Sequence, residues 1–259
     1  MTPAAAAEVH VDIDSPVATV TVGSGLRRNA LTLAGWTRLA EQVAYVARTP
    51  RLQVVVVRGA GASFCAGSDL NEWHGASQAT IDASFAAMEA ACDALEHAPV
   101  PVVTAIKGDA VGAGCQLALS GDLRIGCSDL RMGMPVLKLG VQLTPPFVAR
   151  LVEQGGPQLA SDLLLTGRLV TAEEALQRGL VAQVVEPARW EHHVDAVVAA
   201  VVALPPDALR AAKQALTAQR RAARGALPGR VAEHSANLAD LHAGVERFLF
   251  TGRQRGGAA

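Results

Sequence analysis

Apolar and polar positions alternate in "VHVDID" and "VATVTV", two short runs separated by "SP", and this period of two predicts a β-hairpin near the N-terminus. The period then lengthens. Leu31, Leu39, Val43 and Val46 fall at helical spacing within "NALTLAGWTRLAEQVAYVA". "LQVVVVRG" is an unbroken apolar run stopped by Gly59 and Gly61, which predicts a buried strand. The cycle repeats with a helix over "QATIDASFAAMEAACDALEHA", ended by Pro99 and Pro101, and a buried strand in "VPVVTAIKG". A short helix in "GAGCQLALSG" and a strand in "DLRIGC" follow. From about Gln158 the pattern is helical: "QLASDLLLTG", "TAEEALQRG", then longer segments from about Ala188, Asp207 and Val231.

Strands alternating with helices predict an α/β core, and the strand-free last third predicts a helical C-terminal part. The joint is expected at "LPPDA", 204–208, where paired prolines interrupt the helix and Asp207 can cap the next one. The expected organisation is therefore a core over 1–203 and a helical region over 204–259. There is no repeat of fixed period, and the tail "RQRGGAA" is expected to fray.

A chain of 259 residues can build one large core. Only 3% of it is aromatic while 50% is hydrophobic, so Ala, Val and Leu must supply most of the packing. The net charge of −1 and the scattered basic residues argue against a nucleic-acid-binding face. Cys65, Cys92, Cys115 and Cys127 lack CxxC spacing and read as reduced, buried thiols of a cytoplasmic protein. The N-terminus lacks the pattern of a signal peptide, and no apolar run reaches the ~20 residues that span a bilayer. The pair His192–His193 has no matching ligand motif, so no metal is expected.

The candidate chemistry lies in a pair of turns. "VVVVRGAGASFCAGSDL" and "VVTAIKGDAVGAGCQL" each run from a buried strand through glycines into a tight turn or helix start. Small residues there leave backbone N–H groups open to a ligand, and the first N–H groups of a helix lack internal partners. Two such donors aimed at one point form an oxyanion hole. Neither turn has the spacing of a dinucleotide fingerprint or the GKS/GKT of a phosphate loop.

With these turns in view, the chain resembles the crotonase superfamily, the enoyl-CoA hydratase/isomerase proteins. The resemblance also includes "RRNAL" at 27–31, "MPVLKLG" at 134–140, "LLLTGRLVTAEEALQRGLVAQVV" at 163–185 and "DLHAGVERFL" at 240–249, all in the family's order. It implies a spiral core of ββα turns, C-terminal helices that pack in a trimer or dimer of trimers, and acyl-CoA thioesters as ligands, with no further cofactor. By resemblance the oxyanion donors are the N–H groups of Ser68 and Ala113. Arg27, Arg28 and Ala30, with Ala66, Gly67, Asp69 and Leu70, map onto the coenzyme A contacts.

The same resemblance exposes a departure. Hydratases of the family carry two glutamates, one in GGGCE and one in PEVKLGL. Here "GAGCQ" places Gln116 at the first and "PVLKLGV" places Val136 at the second. An amide hydrogen-bonds but does not exchange protons near neutral pH. Each acid–base group typically contributes about 10²–10⁴ in rate, so hydration is expected to be lost. Glu89 and Gln142 fall near active-site positions of the family's dehalogenases, and as Gln the latter cannot act as a nucleophile. His74, after the first turn, could swing over the acyl group. Small residues at Ala86, Ala87, Ala90 and Ala91 are compatible with a roomy acyl pocket and equally with close helix packing. Two readings stay open: an enzyme of isomerase or decarboxylase type, with Glu89 as a single proton shuttle in the first case, or a non-catalytic binder of acyl-CoA or acyl-carrier thioesters.

Overall fold

The computed structural model describes residues 8–225 and 234–255. Six strands form the main sheet. The hairpin strands β1 (Val9–Asp14) and β2 (Val17–Val22) pair antiparallel. Strands β3 (Val54–Gly59) and β4 (Val102–Ile106) then add in parallel beyond β2, followed by β6 (Leu123–Cys127) and β9 (Gln183–Val185). A smaller sheet of β5 (Asp109–Val111), β7 (Arg131–Gly133) and β8 (Val170–Thr171) stands beside it. Among the described residues each successive strand of the main sheet is laid on the same growing side, so the chain advances as a stair.

The crossovers explain the apolar runs. Helices α1 (Leu33–Val46), α2 (Leu70–Trp73) and α3 (Gln78–Glu96) pack on one side with α4 (Ala113–Leu119) and α5 (Pro145–Thr166), over Val55, Val57, Val102 and Ile106. The short α6 (Ala172–Gln177) adds Ala172 and Ala175 to this core. Helix α7 (Trp190–Val202) and the start of α8 (Pro206–Gly225) cover the opposite face, over Val54, Val56, Val103 and Ala105. Because both faces of β3 and β4 are covered, these strands need apolar side chains at every position rather than at alternate ones. Ser77 caps α3 and Thr32 caps α1 through their hydroxyls, as their side-chain type favours.

The last third is not free of strands. β9 joins the main sheet beside β6, because "AQVV" places Val185 in the core, a run too short to show a period. The helix expected from Val231 is α9 (Leu238–Arg255), and the residues between 226 and 233 lie outside the described ones. Residues 256–259 of the tail, expected to fray, also lie outside them. Helix α9 buries Leu241 and Val245 in its own chain, whereas Phe248 stays half exposed. No described helix is long and apolar enough to cross a membrane.

Buried charge ties the late helices to the core. Arg150 on α5 is fully buried and donates to both oxygens of Glu89, at 3.0 and 2.5 Å, as well as to Asp93 and Glu96. Arg224 on α8 bridges Glu96 and Glu153. Lys213, also on α8, reaches Asp122 at 2.7 Å. Burial of Glu96 would raise its carboxyl, but the hydrogen bonds and charges of Arg224 and Arg150 hold it below the ordinary value.

Candidate active site

The two glycine turns meet at the carboxyl ends of β3 and β4. The segment after β3 is stitched on both sides. Cys65 N–H donates to Asp109 O and Val111 N–H to Cys65 O, which joins the first turn to β5. On the other side Leu31 N–H donates to Gly67 O and Asp69 N–H to Leu31 O. This ladder uses the groups flanking Ser68, so the Ser68 N–H points away from Leu31 and has no protein acceptor among the described residues. Ala113 opens α4, and its N–H likewise lacks an acceptor there, as the first N–H groups of any helix do.

Two glycines let the turns touch. At Gly114 a Cβ would lie 1.9 Å from Cys65 O, so only glycine permits this approach. Gly67 has φ +94°, a conformation that side chains disfavour, and a Cβ there would lie 3.0 Å from Val111 O and 3.2 Å from Ala113 N. The N–H of Ala113 therefore lies against the first turn. The hydroxyl of Ser68 plays a different part: it accepts from Trp36 Nε1 at 3.0 Å and donates to Met88 Sδ at 3.1 Å, which anchors the turn to α1 and α3.

Ala66, Gly67, Ser68 and Leu70 line one cavity of about 410 Å³ together with Ala113 and Val136. Its remaining wall is largely apolar and includes Trp73, Phe85, Met88, Met134, Phe147 and Phe248. The Trp73 and Phe85 rings stack at 5.3 Å, and Phe147 meets Phe85 edge-on at 6.1 Å. No Asp, Glu or His lines this cavity among the described residues, and Lys138, donating to Gly167 O at 2.9 Å, is the one charged side chain in its wall. Cys65, Cys92 and Cys115 are buried thiols pushed up to about 12, mainly by burial, so none is a thiolate near neutral pH.

Gln116 is fully buried behind the wall. Its Nε2 donates to Phe147 O at 2.9 Å and approaches Met134 Sδ at 3.4 Å, while Oε1 has no hydrogen-bond partner among the described residues. The amide ties α4 to the start of α5 and fixes two residues of the cavity wall.

Several expected residues are not brought to the cavity. Glu89 faces Arg150, because α3 turns its 85 and 88 positions inward and the 89 position toward α5. His74 ends α2 on the surface, and Gln142 is exposed with its backbone N–H on Ser235 O. Ala86, Ala87, Ala90 and Ala91 do not line the cavity either; Phe85 and Met88 from the same helix do. The "RRN" residues adopt left-handed backbone conformations, with φ from 47° to 58°. Arg27 pairs with buried Asp69 and Arg28 with buried Asp109, at 2.9 Å in the second case. Ala30 and Arg27 border a separate cleft with Arg38 and Glu8. Asn29 carries no pattern of its own in the sequence, yet it is structural. Its Nδ2 donates to Ala60 O and Ser63 O and so holds the first turn in place.

The enoyl-CoA hydratase/isomerase family model matches residues 12–253. The 2,3-dehydroadipyl-CoA hydratase of Escherichia coli is 31% identical over 249 residues, which cover 93% of this chain and 95% of that protein. The short-chain-enoyl-CoA hydratase of Clostridium acetobutylicum is 32% identical over 80% of each chain. Among solved structures, an enoyl-CoA hydratase/carnithine racemase from Magnetospirillum magneticum superposes with a TM-score of 0.77 at 32% identity, over 93% of this chain and 87% of that one. The fold and paired turns define a crotonase-like α/β protein, and the chain belongs to the enoyl-CoA hydratase/isomerase family.

Proposed function

We propose that the protein binds acyl-CoA thioesters, polarises the thioester carbonyl between the N–H groups of Ser68 and Ala113, and does not hydrate enoyl thioesters. One observation carries this reading: Ser68 and Ala113, whose backbone N–H groups have no acceptor among the described residues, both line a cavity whose described lining has no carboxylate or imidazole. Backbone donors act whatever side chains surround them, whereas adding water across a double bond needs groups that give and take protons. Coenzyme A enters as part of the substrate, and this chemistry calls on no other cofactor.

Such a site suits a reaction in which the substrate supplies its own leaving group. Loss of CO₂ from a malonyl-type thioester breaks the bond from the α-carbon to the carboxylate. The electron pair passes into the enolate, whose oxygen the two N–H groups stabilise, and water returns the proton. A double-bond shift through Glu89 is disfavoured because Arg150 engages that carboxylate away from the cavity. The test follows crotonyl-CoA absorbance, CO₂ release from methylmalonyl-CoA, and calorimetric binding of the unreactive butyryl-CoA. Binding with CO₂ release and negligible hydration is the expected result. Binding alone would make the protein a non-catalytic acyl-thioester binder, and robust hydration would overturn the proposal.

A further inference from the structure

The whole chain has nine aromatic residues, and four of them, Trp73, Phe85, Phe147 and Phe248, line the cavity that holds the two N–H donors. Two of its four methionines, Met88 and Met134, line it as well. A sequence this poor in aromatic side chains has concentrated them in one wall. The contiguous ring contacts of Trp73, Phe85 and Phe147 make that wall a surface rather than scattered packing. Resting on the acyl-thioester reading above, we infer that the acyl group accepted here is bulky and uncharged beyond its α-carbon, such as an aryl group or a medium-length alkyl chain.

The physical reasons are burial and desolvation. Each methylene that moves from water into such a wall strengthens binding by up to about fourfold. Aromatic rings add offset or edge-on contacts to a ring brought beside them, and methionines adapt to an irregular chain. A short acyl group would leave most of the wall unused. A distal carboxylate, which unlike one on the α-carbon cannot leave as CO₂, would lose its hydration with little return. Lys138 is the one cation available in the wall, but it is exposed, where solvent screens its charge, and it already donates to Gly167 O at the end of α5.

Calorimetry of the full chain with butyryl-, octanoyl-, phenylacetyl- and adipyl-CoA, and with free coenzyme A, tests this directly. Octanoyl- and phenylacetyl-CoA should bind at least tenfold more tightly than butyryl- and adipyl-CoA. The half-exposed Phe248, whose removal should leave the fold intact, gives the second arm: Phe248→Ala should narrow the octanoyl-to-butyryl ratio several-fold while free coenzyme A binds as before. Equal affinities for butyryl and octanoyl, or tighter binding of adipyl-CoA, would overturn the inference while leaving acyl-thioester binding standing. If neither free coenzyme A nor any thioester binds, the acyl-thioester reading itself fails.

Discussion

Replacing Gln116 with Glu should give a protein whose stability depends on pH in a way the parent's does not. The amide is fully buried, donates to Phe147 O at 2.9 Å, and has an Oε1 without a partner among the described residues. An ionised carboxylate there would set one oxygen against a carbonyl oxygen and leave the other undonated. The protonated acid could still donate to Phe147 O. Burial of this kind raises a carboxyl by about 3–5 units from its unfolded value of about 4.3, so the folded variant should hold its proton at pH 7. The unfolded chain loses that proton above about pH 4.3, so stability is full below that value and falls as pH rises, by about 1.4 kcal/mol per unit. The variant should therefore lose about 1 kcal/mol at pH 5 and about 4 kcal/mol at pH 7 relative to the parent. Urea unfolding of both proteins at pH 5, 6 and 7 measures the difference. A difference that does not change with pH would refute the argument, as would crotonyl-CoA hydration by the variant at pH 7, since either result requires an ionised and accessible carboxylate at position 116.

Four further outcomes are expected. Gly67→Val forces a β-branched side chain into φ +94° and against Val111 O and Ala113 N; calorimetry should show acyl-CoA binding lost in a variant whose circular dichroism is unchanged, and unaltered affinity would count against the site. Arg150→Met removes the cation facing Glu89 and leaves Glu96 with Arg224 alone, and should cost about 3–5 kcal/mol in urea unfolding near neutral pH. In the parent, the depressed Glu96 carboxyl contributes stability above its unfolded value of about 4.3 that is lost as pH falls through the lower folded value, so an Arg224→Ala variant should show a shallower acid limb. Sedimentation should give a homotrimer or hexamer, since Leu165 and Phe250 are exposed in the single chain; a monomer at micromolar concentration would contradict it.

The layered architecture and the two turns could be read along the chain. Uninterrupted "VVVV" can only be stable where both faces of a strand are covered, and Gly67 and Gly114 occupy positions where a Cβ would collide or strain the backbone. These are local or periodic constraints, so they leave a mark in the order of residues. The absence of glutamate at 116 and 136 was equally legible, because it concerns which atoms exist. Where side chains on irregular or helical segments point was settled by packing alone. One position separates Met88, in the cavity wall, from Glu89, held by Arg150 some sixty residues later in the chain. The strand β9 was hidden because three residues are too few to show a period, and its pairing with β6 supplies the energy. The role of Gln116 was hidden because its partner is distant in the chain: the carbonyl of Phe147 belongs to a helix that only the packed fold brings within reach.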